Sequence, residues 1–216
     1  MSKIVLIGSS SAIAKSLQNQ SDREFVSFTR SNGFDISGDL SELDDLEDIN
    51  GLVYFPGTIN LKPFTMLKEQ DYQNDLDINF LGAVKVVKKL IEKLKEADGA
   101  SVVFISTVAA SIGLPFHASI SPSKAALEAY ARSMAAEYAG AKVSFNVVAP
   151  SLANTPMAKN LLKTDRLIEA SKERNPMKQI GTPDQISKTV DFLLDAHLNW
   201  MTGQVIPVDG GMINLK

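Results

Sequence analysis

Protic and cationic side chains crowd into one stretch of this sequence, Ser101 to Lys124, SVVFISTVAASIGLPFHASISPSK. An apolar run from Val102 to Ile105 breaks at Ser106-Thr107, and a loop punctuated by Gly113 and Pro115 carries His117 and Ser119. Ser121-Pro122 then opens an alanine-rich helix bearing Lys124. Hydroxyls at a strand end can orient a carbonyl, and a histidine titrates near neutrality, so the stretch has the makings of general acid–base chemistry. A strand that leads into such groups delivers them to the carboxyl edge of a sheet, where open α/β sheets bind their ligands.

The elements that must position these groups read as alternating strands and helices. Short, wholly apolar runs at Lys3–Ile7, Phe25–Thr29, Leu52–Phe55, Val102–Ile105, Val143–Val148 and Gln204–Val208 predict strands, several buried on both faces. Helical spacing predicts helices over Ala12–Gln20, Pro122 to about Tyr138 and Pro183 to about Asp195. A long helix is predicted from Asp71 to Ala97, where Leu76, Phe80, Val84, Val87, Leu90, Ile91 and Leu94 share a face and Asp98-Gly99 ends the run. The acidic stretch Asp35–Asp48 reads as a loop with a short helix, and Pro150–Ile180 as irregular or loosely helical. This rhythm predicts an α/β fold, a single Rossmann-type domain over residues 1–216 with a doubly wound parallel sheet and helices on both faces. Residues 152–180, with Met157, Leu161, Leu162, Leu167, Ile168 and Met177 set among charges, read as an amphipathic cover or lid on the substrate side.

Composition narrows the function classes. The 216 residues carry a net charge of −3 and no cysteine, which removes disulfides, thiolate catalysis and cysteine metal sites. Two histidines far apart argue against a histidine metal site, and the acidic balance against nucleic acid or an anionic membrane as partner. The apolar run at the amino terminus is too short for a signal peptide and no stretch has membrane-spanning length, so a soluble, cytoplasmic protein is expected.

Several segments, in order, resemble the short-chain dehydrogenase/reductase (SDR) family. They are Gly8-Ser-Ser-Ser-Ala12-Ile13-Ala14, the strand end Leu52–Gly57, Asn79, Ile105-Ser106-Thr107, Lys124, Asn146, Pro150 through Thr155, and Thr202–Ile206 with Val208-Asp209-Gly210-Gly211. The resemblance spans nearly the whole chain and implies a nicotinamide cofactor, carbonyl/alcohol hydride transfer, and a homodimer or homotetramer through the two long helices. The chain departs from the family at Ala12 and Ala14 in the glycine loop, at Tyr54-Phe55-Pro56-Gly57, and at Ser151 after Pro150. Above all, Ile120 stands where the family's Tyr-x-x-x-Lys carries tyrosine.

For the cofactor, Gly8 permits the strand-to-helix turn, and the helix start at Ser10, Ser11 and Ile13 offers N–H groups to a pyrophosphate. Arg30, just past the second strand, suits the 2′-phosphate of NADP better than the bare ribose of NAD. Asp35 resembles the family's adenine-contacting acid, and equally a turn cap; Gly57, Pro150 and Thr155 are matched to the nicotinamide half. For chemistry, the resemblance assigns Thr107 to the carbonyl, Lys124 to the nicotinamide ribose and Asn79 to a proton relay; Thr107 also reads as a strand-end cap and Asn79 as a structural bond in a kinked helix. Isoleucine offers no proton, which leaves water, Ser119, Ser121 or His117 as the donor. Two functions are therefore expected: an NADP(H)-dependent oxidoreductase with a non-standard proton donor, or a catalytically silent dinucleotide-binding or oligomerisation module. A non-redox lyase or isomerase step in the same pocket is a third.

Overall fold

The computed structural model describes residues 2–195 and 200–215. The second histidine, His197, lies outside them. Its centre is a six-stranded parallel sheet of β1 (Lys3–Ile7), β2 (Glu24–Phe28), β3 (Ile49–Tyr54), β4 (Ala100–Ile105), β5 (Val143–Pro150) and β6 (Val205–Val208). The spatial order is β2-β1-β3-β4-β5-β6. From β1 the chain moves outward to β2, then returns past β1 to β3, so the order reverses between β1 and β3. In doubly wound sheets, the crevice at the carboxyl ends beside such a reversal is where nucleotides bind.

Helices cover both faces because the central strands are buried on both. β4 is buried along its whole length, and each fully buried Val or Phe in it contributes about 1.5–3 kcal/mol. One face packs against α3 (Gly82–Glu96) and α4 (Ile120–Tyr138) through Leu90, Leu94, Leu127 and Ala131. The other packs against α1 (Ala12–Gln20) and α6 (Pro183–Leu193) through Leu17, Ile186 and Val190.

The long helix expected over Asp71–Ala97 is two helices. α2 (Glu69–Leu76) passes through a π-helical stretch, Asp77–Leu81, before α3 begins at Gly82. Two contacts account for the break. The Tyr54 hydroxyl donates to the Ile78 carbonyl at 2.7 Å, and Gly82 leaves no room for a Cβ against the Tyr54 hydroxyl and Ile36. α4 likewise starts at Ile120 rather than Pro122, because a proline in the first helical turn removes an N–H that has no partner there anyway.

The carboxyl-terminal motif also has a mechanical reading. The Asn146 amide donates to the Met201 carbonyl at 2.8 Å and accepts from Gln204 N–H at 3.1 Å, while Thr202 Oγ1 accepts from Phe145 N–H at 3.0 Å. Gly203, at φ 71°, makes the turn that sets β6 beside β5. Asp209 then caps the closing turn by accepting from Gly211 and Ile213 N–H, both at 2.8 Å.

Gly82→Ala is expected to destabilise the fold by about 1–3 kcal/mol, since a methyl group must displace the Tyr54 hydroxyl from the π segment. Urea unfolding of the variant measures this, and an unchanged midpoint would contradict the packing described.

Candidate active site

One end of the candidate site is built where β1 meets α1. Gly8 takes φ 77°, open to glycine and strained for other residues, and a Cβ there would come within 3.0 Å of the Pro56 ring. Pro56 of the β3 end therefore packs directly on the turn and fixes its shape. The Ser11 side chain caps α1, accepting from Ala14 N–H at 3.1 Å, which leaves the amides of Ala12 and Ile13 without an intrahelical acceptor. Ser10 is exposed and its hydroxyl accepts from Thr29 Oγ1 at 2.9 Å, tying the turn to the end of β2. Arg30 is exposed one residue further on. Asp35 is exposed too, and its carboxylate accepts from Ser37 N–H at 2.9 Å and Ser37 Oγ at 2.6 Å, bonds that hold it below the usual range. That is the geometry of a turn cap.

The other end is organised on Lys124. The solvated-surface fate common to lysines is excluded, for Lys124 is 5% exposed. Its ammonium donates to the Ile105 carbonyl at the end of β4, at 2.7 Å. Burial pushes its pKa down to about 8, while the charges of Asp75 and then Glu128 pull the other way. A Cβ on Gly57 would stand 3.3 Å from both Lys124 Nζ and Asn79 Oδ1, so this glycine keeps the space beside the ammonium clear. Gly57, Asn79 and Lys124 thus converge from the β3 loop, the π segment and α4.

Asn79 does not bond a backbone carbonyl in the helix kink. Fully buried, it accepts from Thr58 N–H at 3.1 Å and donates to Thr58 Oγ1 at 2.9 Å and Ser123 Oγ at 3.0 Å. Thr58 donates onward to the buried Asp75 at 2.6 Å. On the far side of Lys124, Ser106 Oγ donates to the buried Glu128 at 2.6 Å, and burial raises the Glu128 pKa. Asp75, Thr58, Ser123 and Glu128 are the residues that reading for site motifs missed. The signal was helical spacing: Asp75 precedes Asn79 by four residues and Glu128 follows Lys124 by four, which puts each pair on one face.

The other protic candidates are largely committed elsewhere. Thr107 Oγ1 accepts from Ala109 N–H at 3.3 Å as the cap of a 3-10 turn, leaving its proton to donate. Ser121 donates to the Ala109 carbonyl at 2.5 Å, and His117 Nδ1 lies 2.7 Å from the Pro115 carbonyl. Ser119 is buried with an unpartnered hydroxyl, and the Ile120 side chain is buried.

Pro150 ends β5, and residues 152–180 leave the sheet beyond it. A bridge between Ala153 and Gly181 closes the base of this segment, which holds a 3-10 stretch at Pro156–Leu161 and the helix α5 (Asp165–Glu173). Thr155 caps the 3-10 stretch by accepting from Ala158 N–H at 3.3 Å. Asn175 fastens the segment to the β6 end through the Asp209 carbonyl at 2.6 Å. A cavity of about 170 Å³ lies between them, lined by Ser151, Asn175, Met177, Ile186 and Val208, away from Lys124.

Residues 41–213 match the family described as Enoyl-(Acyl carrier protein) reductase. The chain is 32% identical over 146 residues to the 3-oxoacyl-[acyl-carrier-protein] reductase MabA of Mycobacterium tuberculosis, covering 68% of this chain and 58% of that protein. It therefore spans less than two thirds of that relative's length. An oxidoreductase of the short-chain dehydrogenase/reductase family from Burkholderia thailandensis superposes with a TM-score of 0.89 at 22% identity, covering 100% of this chain and 94% of that one. ElxO with NADP bound superposes at 0.85 and 19% identity, covering 99% of each chain; at such identities the likeness is one of fold. The chain belongs to the short-chain dehydrogenase/reductase family.

The pKa of Lys124 carries a stability prediction with a definite sign. The folded chain releases this proton near pH 8 and the unfolded chain at the ordinary 10.5, so stability rises with pH through that window. Lys124→Met is expected to remove about 1–3 kcal/mol of that rise relative to the parent protein. Urea unfolding of both proteins at pH 7.5 and pH 10 measures the difference, and identical pH slopes would contradict it.

Proposed function

We propose that this chain is an NADP(H)-dependent oxidoreductase that interconverts a small carbonyl compound and its alcohol. The observation that carries this reading is the convergence of Gly57, Asn79 and Lys124 at the carboxyl edge of the sheet, beside the crevice where the strand order reverses. The residues fit a dinucleotide along its length. Gly8 keeps the turn narrow, the Ala12 and Ile13 amides with Ser10 and Ser11 take the pyrophosphate, and Arg30 takes the 2′-phosphate. Asp35 flanks the adenine end, and Pro150, Thr155 and Gly57 flank the nicotinamide half. ElxO, a structural neighbour, binds NADP.

When bound, the nicotinamide supplies or accepts the hydride. The chain does the rest. Lys124 holds the nicotinamide ribose, its ammonium directed by the Ile105 carbonyl. Thr107 keeps its hydroxyl proton for the substrate oxygen while its lone pair caps the turn. Asn79 serves here by anchoring the Gly57-Thr58 turn. With Ile120 at the tyrosine position, the proton for the substrate oxygen comes from water or a protic neighbour, and Ile120 presents an apolar wall. Residues 152–180 form the substrate-side lid of a single domain, and α2, α3 and α4 supply the contacts of a cytoplasmic homodimer or homotetramer.

A second reading has its own observation. Ile120 has no proton to give and Ser121 is tied to the Ala109 carbonyl, so the site also suits a catalytically silent dinucleotide-binding module.

NADPH titration followed by nicotinamide fluorescence, with NADH in parallel, tests the cofactor. Arg30→Ala is expected to weaken NADPH binding about tenfold or more and to leave NADH unchanged. If neither nucleotide binds the parent protein, the reading fails. NADPH oxidation across a panel of small carbonyl compounds tests the reaction. Silence from the parent with activity created by Ile120→Tyr would favour the module.

A further inference from the structure

The site contains a buried carboxylate that hydride transfer itself does not call for. Asp75 lies on α2, one helical turn before Asn79, and is 1% exposed. Its Oδ1 accepts from Thr58 Oγ1 at 2.6 Å, and its Oδ2 is buried with no hydrogen-bond partner. A half-satisfied buried carboxylate costs several kcal/mol unless a positive charge answers it. The buried cation whose ammonium form Asp75 favours is Lys124, which donates to the neutral Ile105 carbonyl.

We infer that Asp75 is a positioning residue of this site, the counter-charge of Lys124 and, through Thr58, the anchor of the Gly57 turn beside it. The inference rests on the reading of Lys124 as the site's lysine. Two chains of contact meet at this point. One is covalent and hydrogen-bonded: Asp75 to Thr58, Thr58 N–H to Asn79, and Gly57 immediately before Thr58 and against Lys124 Nζ. The other is electrostatic: Asp75 is the larger of the two carboxylate charges that favour the ammonium form of Lys124. Glu128, the second, sits on α4 and is shared with Ser106 and the charge of Arg132. β4 brings the Ile105 carbonyl to Lys124, and the loop after β3 brings Gly57. Asp75 therefore opposes desolvation where the chain has no tyrosine to share the lysine's proton. The result is a lysine that stays charged at neutral pH and so can hold a ribose hydroxyl or lend a proton.

Two substitutions separate charge from tether. Asp75→Asn keeps an acceptor for Thr58 and removes the charge; Thr58→Val keeps the charge and removes the tether. The readout is the ¹³Cε resonance of Lys124 titrated in the protein without nucleotide, assigned as the signal missing from Lys124→Met. Asp75→Asn is expected to lower the Lys124 midpoint by about half a pH unit or more, while Thr58→Val leaves it within about 0.2 of the parent. Thr58→Val is expected instead to weaken NADPH binding several-fold by freeing the Gly57 turn. A midpoint unmoved by Asp75→Asn, or moved equally by both substitutions, overturns the inference. Should Asp75→Asn fail to fold, the parent protein carries the test. The ¹³Cγ signal of Asp75 must show an inflection at the pH where Lys124 titrates, and its absence is equally fatal. Failure to bind NADPH would sink the cofactor reading and leave this titration unaffected.

Discussion

A lysine ammonium held out of water sets the terms for everything around it. Lys124 loses its hydration on burial, and its neighbours are the groups that make the loss tolerable. The Ile105 carbonyl faces it from the end of β4, and Asp75 and Glu128 lie on either side in charge terms. The rest of the local structure follows from holding that amine in one place. β4 is buried along its length, so its end sits in the core, and Gly57 lacks a side chain because any carbon there would press on the ammonium and on Asn79. The π-helical stretch places Asn79 over the loop after β3 while α3 continues its packing on the sheet.

Much of the fold was legible because its signals are periodic. The Ala12–Gln20 helix and the Lys3–Ile7 strand lie where apolar spacing and the Gly8 turn put them. The break at Asp77–Leu81 was not legible, since one extra residue in a turn leaves the apolar stripe of Val86, Val87, Leu90, Ile91 and Leu94 intact. Its causes, the Tyr54 hydroxyl and the space denied at Gly82, lie more than twenty residues apart in sequence or in another element. The start of α4 was shifted by Pro122, a residue that ends helices in their interior and begins them in their first turn.

Within the site, motif order pointed to Gly57, Asn79 and Lys124, and the structure brings those three together. It does not bring every predicted residue to them. Arg30, Asp35 and Ser10 lie at the exposed far end by β2, and Thr155 caps a turn in the segment beyond β5. The Asp75–Thr58–Asn79–Ser123 network was hidden because hydroxyls and amides take their partners from elements far apart in sequence, and no spacing rule reports that. The departures from the family pattern acquire local reasons as well. Pro56 packs on the Gly8 turn, and the Tyr54 hydroxyl reaches from β3 to hold the π segment.

The central claim is that a dinucleotide binds along the carboxyl edge of the sheet, from the Gly8 turn to Gly57 and Lys124. Saturating the isotope-labelled protein with NADPH and following the Lys124 ¹³Cε signal with the amides of Gly57 and Ile13 tests it in one titration. All three are expected to shift along a single saturation curve, because the proposed nucleotide runs from the helix start at Ile13 to Lys124. NADPH that binds while Lys124 and Gly57 stay still would place the nucleotide elsewhere and contradict the account.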